Sequence, residues 1–381
     1  MLRGLSRLIA CGMVCAFCFG SESQTDTIRL AAHLKPFRRY KTYEISGAQY
    51  KTIQQVYLSW IAARMKSGVT LAQMNEELRA AHLLSDGPTV GDDMEKSFAG
   101  FLGLVEALQL GVTDLVALKF GIYGGSFCNL DETAVLYDAE TLEELARINA
   151  ETVSTHGSRY GFRLRGLAVG KDDGVRGRII GSDWVMSNCT SNWNGNAFRI
   201  DVSRGHSIKN ILERELGAFG RVPVRISVEG NTVTVKYTTM SHDGDKLLRA
   251  GIAIYRVQGD RVSRQGPIAL SFGGFIDEWL DMSDNEAAHW STPEASARHH
   301  ELVARFSKGH FRWNHAAVCP GSPPAREIGI QWNESKQNTF FLIRASSAAD
   351  MRMVSIYDNP SSACSETKMD GELSSILAEP R

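Results

Sequence analysis

Apolar residues first recur at helical spacing at Ile53, Val56, Tyr57, Trp60, Ile61 and Met65, and Gly68 ends the stretch. Thr70 with Gln73 forms a capping box, opening a second helix that runs to about Leu83. Asp86-Gly87-Pro88 then breaks the chain. The pattern predicts a helical hairpin preceded by an extended, basic arm over 21–46, with KPFRRYK at 35–41.

From about Phe98 glycine and β-formers replace helix formers. A short pattern echoes three times, as Ala134-Val135-Leu136-Tyr137-Asp138, Ala197-Phe198-Arg199-Ile200-Asp201 and Ala253-Ile254-Tyr255-Arg256-Val257, at intervals of 63 and 56 residues. Each echo follows one or two apolar runs and precedes a polar turn and a further short segment, a unit of roughly four strands. Glu229-Gly230-Asn231 and Gln258-Gly259-Asp260 read as tight hairpin turns. Over about 110–270 this pattern resembles the blades of β-propellers, and the resemblance implies a scaffold or binding surface. Three units are fewer than the four to eight blades with which propellers close, so stacked meanders or a sandwich fit the same pattern.

After Ser271 the chain turns helical again. Phe275, Ile276, Trp279 and Leu280 form an apolar stripe, and Ser283 with Glu286 forms a second capping box. Thr292 caps a third helix with Pro293 at its first position. Its expected i,i+4 pairs are Glu294–Arg298 and Glu301–Arg305, and Gly309 is its C-terminal cap. Pro320-Gly321-Ser322-Pro323-Pro324 marks a connector, followed by strand-like runs at Thr339–Arg344 and Met351–Tyr357. The fold class is therefore α+β, predominantly β. An N-terminal helical hairpin (21–97, with the arm) precedes central antiparallel repeat-like sheets, propeller-blade-like or sandwich, over 98–272. A small α+β domain spans 273–368 and a polar tail 369–381.

The first twenty residues read as an address. Arg3 and Arg7 precede a mostly apolar run, Leu8–Gly20, with Cys18, Gly20 and Ser21 as a small-residue exit. That is the layout of a secretory signal peptide, and the run is too short to span a bilayer of about 30 Å. Leu8-Ile9-Ala10-Cys11 also resembles a lipoprotein attachment box. Secretion or periplasmic export is expected, with an uncleaved or lipidated N-terminus as the anchored variant. Without the leader, Cys128, Cys189, Cys319 and Cys364 remain, an even number that fits two disulfides. Pairing within apparent domains gives Cys128–Cys189 and Cys319–Cys364.

Charge adds mainly exclusions. The 381 residues carry 42 Lys+Arg and 43 Asp+Glu, a formal balance of -1, so no bulk field invites nucleic acid. No run of apolar residues is long enough for a transmembrane helix, so no span is expected once the leader is removed.

Chemistry is sparse. Gly166 to Lys171 misses a phosphate loop by one residue, with Asp172 in the place of the magnesium-binding hydroxyl. GxGxxG, GxSxG and HExxH are absent. No cofactor is expected. Five of the ten histidines fall between His289 and His315, which makes His299, His310 and His315 a candidate metal set. Asp277 and Glu278 are neighbours on one helix, read as a solvated face beside Trp279. The amide-rich segment around Asn192, Trp193 and Asn194 is the candidate binding loop for an extracytoplasmic protein or carbohydrate, with Trp184 and Tyr123 completing an aromatic surface. The sequence favours an exported binding or scaffold module. The alternative is an extracytoplasmic hydrolase that draws its acids and bases from Asp172, Asp173, Asp277, Glu278 and the histidines.

Overall fold

A computed structural model describes residues 20–35, 47–84, 102–123, 130–149, 161–171, 177–187, 195–216, 224–240, 248–306, 311–323 and 325–367. The chain falls into two compact units, Met1–Glu215 and Leu216–Arg381. The division lies inside the span read from sequence as one β-rich domain. The fold class is as expected: antiparallel sheets dominate, with helices gathered before and after them.

In the first unit, helices α1 (Gly20–Leu34), α2 (Gly47–Lys66) and α3 (Leu71–Ala80) pack together. Helix α1 corrects the extended arm over its length. Thr27, Leu30, Ala31 and Leu34 make a helical stripe that the arm reading overlooked, and Leu30 and Leu34 are buried. The Thr70–Gln73 capping box is present as read. Buried Arg64 ties the three helices: its Nε lies 2.9 Å from Glu77 Oε2, and its Nη2 donates to Thr27 Oγ1.

Strands β1 (Glu106–Leu108), β2 (Leu115–Tyr123), β3 (Leu130–Asp138) and β4 (Glu144–Asn149) form a meander in chain order. Both of its faces are buried, because the side chains alternate between two cores. Leu118, Phe120, Ile122, Val135 and Tyr137 meet the helices. Leu115, Ala117, Ala134, Leu136, Ala146 and Ile148 meet a second meander. That meander is β5 (Gly161–Val169), β6 (Arg178–Ser187), β7 (Gly195–Arg204) and β8 (Ser207–Leu216).

A polar seam joins the two sheets. The amides of Phe162 and Leu164 on edge strand β5 donate to Asp131 Oδ1 (3.1 Å) and Glu132 Oε2 (2.6 Å) on β3. Lys119 holds Glu132 Oε1 at 3.3 Å and Glu106 Oε2 at 3.0 Å. Unpaired edge amides are thus consumed by carboxylates of the neighbouring sheet.

The second unit opens with β9 (Arg225–Glu229), β10 (Thr232–Met240), β11 (Leu248–Gln258) and β12 (Arg261–Arg264), again in chain order. Its hairpin glycines Gly230 and Gly259 adopt φ of 57° and 62°, the left-handed turn geometry that their tripeptides predicted. The three echo segments lie in β3, β7 and β11, each the third strand of its four-stranded meander.

Helices α4 (Phe272–Asp281), α5 (Asp284–His289), α6 (Pro293–Ala297) and α7 (His299–Phe306) follow. They cover one face of a sheet ordered β16-β15-β14-β13-β17. Its strands are β13 (Phe311–Cys319), β14 (Ala325–Trp332), β15 (Asn338–Arg344), β16 (Arg352–Tyr357) and β17 (Ser365–Glu366). Ser271, Ser283 and Thr292 cap α4, α5 and α6. The single third helix read from sequence is divided at Arg298. Arg298 pairs with Asp358 at 3.1 Å and Glu294 accepts from Ser355, so the expected Glu294–Arg298 pair is replaced by tertiary bonds. Glu301–Arg305 forms as expected, at 2.5 Å.

Candidate functional site

A polar constellation lies on the face of the C-terminal sheet away from its helices. Strand alternation puts His315 and Cys319 of β13 on that face, with Glu327 of β14 and Tyr357 of β16. Glu327 is 0% exposed and its two oxygens are engaged by three partners. His315 Nε2 lies 2.7 Å from its Oε1, while the Tyr357 hydroxyl (2.6 Å) and the Ser361 amide (2.9 Å) donate to Oε2. The bond to Glu327 fixes which ring nitrogen of His315 points inward, and leaves Nδ1 3.8 Å from exposed Glu366. Burial, and then the carboxylate beside it, pushes the Tyr357 phenol above its ordinary range.

Gly329 makes room for this arrangement. It pairs with His315 across the ladder, and a Cβ there would lie 2.8 Å from the His315 Cβ and 2.9 Å from the Phe340 ring. Beside Glu327, Cys319 and Cys364 form a disulfide that pins the segment after β16 to the end of β13. This is one of the two expected pairings. Cys128 and Cys189 lie outside the described residues.

The expected metal set is not assembled by the described residues. His310 lies outside them. His299 belongs to the helical layer, on the other side of the sheet from His315. It is 1% exposed, its Nδ1 lies 2.6 Å from Asp284 Oδ1 and its Nε2 2.8 Å from the Trp279 carbonyl. The hydrogen bond from His299 holds the Asp284 carboxyl below its ordinary range. His299 is therefore a brace between α4, α5 and α7, with both ring nitrogens engaged.

Asp277 and Glu278 are both buried, which corrects the solvated-face reading. Glu278 accepts from the Ile268 and Ala269 amides, each at 2.8 Å, and from Arg264 Nη1 at 3.0 Å. It anchors the segment that leads from β12 into α4. Trp184 and Tyr123 are buried too, so neither offers an aromatic surface. Asn192, Trp193, Asn194, Asp172 and Asp173 lie outside the described residues. The first three fall in the connection between β6 and β7.

Two charged features of the first unit carried no sequence signal. Asp183, on β6, is 1% exposed, and its Oδ1 has no hydrogen-bond partner among the described residues. Burial pushes its carboxyl up to about 7, against an opposing pull from Arg165. On the opposite face, Arg199 Nη2 meets Asp201 Oδ1 at 2.6 Å, and Asn210 donates to the same oxygen. Glu144, Arg147 and His206 also line an open depression of about 450 Å³.

No protein-family model matches the sequence, and no curated protein matches it. Among solved structures, an α-L-arabinofuranosidase, Arb93A from Fusarium graminearum in complex with an iminosugar inhibitor, aligns over 74% of this chain and 71% of its own. Its identity is 10% and its TM-score 0.28, a likeness too low to argue from.

Proposed function

We propose that the protein works outside the cytoplasm as a disulfide-stapled binding or scaffold module. The observation that carries this reading is the Cys319–Cys364 bond. Disulfides of this kind persist in oxidising compartments and are rare in reducing ones. The apolar leader Leu8–Gly20 points the same way. No helix among the described residues is long and apolar enough to cross a membrane. The ligand is an extracytoplasmic protein or a carbohydrate, recognised at the β6–β7 connection through Asn192, Trp193 and Asn194. N-terminal sequencing of the protein recovered from the extracytoplasmic fraction tests export. A chain that begins at Met1, found in the cytosol with reduced thiols, overturns it. Glycan-array and peptide-array binding tests the ligand class, with Trp193→Ala expected to lower affinity at least ~10-fold.

Asp183 favours a second reading, an extracytoplasmic hydrolase. A buried carboxyl that keeps its proton near neutrality is what a general acid requires. Chromogenic glycosides and esters test it. Turnover that Asp183→Asn abolishes supports this reading, and turnover left unchanged by Asp183→Asn removes it.

A further inference from the structure

We propose that, once the Cys319–Cys364 bond is reduced, its two sulfurs and Glu327 form a site for one divalent metal ion of the zinc type. The two Sγ atoms and a Glu327 carboxylate oxygen all lie within 4.8 Å of one another. Few rearrangements are therefore needed to bring three ligand atoms around one ion. His315, whose Nε2 lies 2.7 Å from Glu327, stands behind the carboxylate rather than among the ligand atoms. Two thiolates and a carboxylate make a borderline-soft set that suits zinc better than magnesium or calcium, with water free to complete the coordination.

The surroundings favour an ion in the reduced state. Glu327 is fully buried, so opening the disulfide places two ionisable thiols beside a buried carboxylate. Tyr357 and Ser361, which donate to Glu327 Oε2, orient the carboxylate as outer partners do in metal sites. The sulfurs come from the end of β13 and from the segment just before β17, so the ion would fasten the same two pieces that the disulfide fastens.

The chemistry balances. A dithiol opens the bond by exchange and leaves as its own disulfide. A water-soluble phosphine does so by becoming the phosphine oxide, with oxygen and both thiol protons drawn from water. Binding of M²⁺ then releases one proton from each thiol. The inference goes beyond the binding reading and does not depend on which ligand that reading finds.

The test uses the full chain with Cys11, Cys15, Cys18, Cys128 and Cys189 replaced by Ser. It is reduced with a phosphine under anaerobic conditions and titrated with Co²⁺, with Zn²⁺ as competitor. The expected result is a sulfur-to-cobalt charge-transfer band that saturates at about one equivalent and is bleached by Zn²⁺. The oxidised protein should lack the band, and Cys319→Ser with Cys364→Ser should abolish it. Glu327→Gln should weaken Co²⁺ binding at least ~10-fold, and Tyr357→Phe, which keeps the ligands but frees the carboxylate, by about 10-fold. Should Glu327→Gln fail to fold by circular dichroism, Tyr357→Phe carries that arm. No band with two thiols counted free, a band that survives removal of both sulfurs, or an unchanged affinity in Tyr357→Phe overturns the proposal.

Discussion

His315 Nε2 and Glu327 Oε1 face each other at 2.7 Å across neighbouring strands, with the carboxylate wholly buried. Removing the ring leaves a fully buried carboxyl oxygen without its 2.7 Å partner. His315→Ala is expected to lower unfolding free energy by about 2–3 kcal/mol. Gly329→Ala should act on the same pair by pushing its Cβ into the ring's place. Urea unfolding followed by tryptophan fluorescence checks both, and a loss below about 0.5 kcal/mol in each would remove the structural role assigned to the pair.

The helical layer depends on His299 in a comparable way. His299→Ala strips the donor from the Trp279 carbonyl and opens a void beside the Trp279 ring, 4.4 Å away between centroids. A loss of roughly 3 kcal/mol is expected. Its exposed neighbour provides the control: His300→Ala should change stability by no more than about 0.5 kcal/mol. Thermal denaturation of the two variants side by side distinguishes a brace from a surface histidine.

Asp183 should make stability fall as pH rises. Its folded carboxyl titrates near 7, above its unfolded value, so the folded state holds the proton more tightly. The contribution is fully present below the unfolded value of about 4 and is lost progressively up to about 7. A shift of this size corresponds to roughly 4 kcal/mol. Asp183→Asn should flatten the dependence of melting temperature on pH between about 4 and 7 and raise stability above it. A profile identical to that of the parent would show that Asp183 does not hold its proton.

Reduction of Cys319–Cys364 in metal-free buffer removes a closed loop with a sequence separation of 45, a loss of about 4 kcal/mol in the loop-entropy account. Denaturant midpoints with and without reductant check that figure. Non-reducing peptide mapping is expected to recover Cys128 linked to Cys189 as well. The described ends of their connections support this: Phe162 pairs with Met186 in one sheet and donates to Asp131 beside Leu130 in the other. Free thiols at Cys128 and Cys189 in protein isolated without reductant would contradict it.

What could be read from sequence was local or periodic. Thr70 and Gln73, Ser283 and Glu286, and Thr292 before Pro293 announced helix starts because a cap lies within four residues of what it satisfies. Gly230 and Gly259 announced hairpins for the same reason. The three echo segments share one position because alternating apolar residues mark the third strand of each meander. Glu278 was misread because its partners, the Ile268 and Ala269 amides, reach it only through the return of the chain. Helix α1 was missed because its lone apolar stripe sits among polar residues, and its partners on α2 and α3 give the stripe meaning. Glu327 and Asp183 gave no signal at all. An acidic residue in an apolar strand looks like any alternating position until the layer above it is known.

The seam at Asp131 and Glu132 bears on the order of assembly. If β5 waits on carboxylates from β3 to quiet its outer amides, then the second meander is safe only after the first has formed. A nascent chain emerging from its N-terminus meets that condition naturally. A fragment starting at Gly161 would present a bare ribbon, open to recruitment by any similar ribbon nearby, and fibre growth is its expected fate.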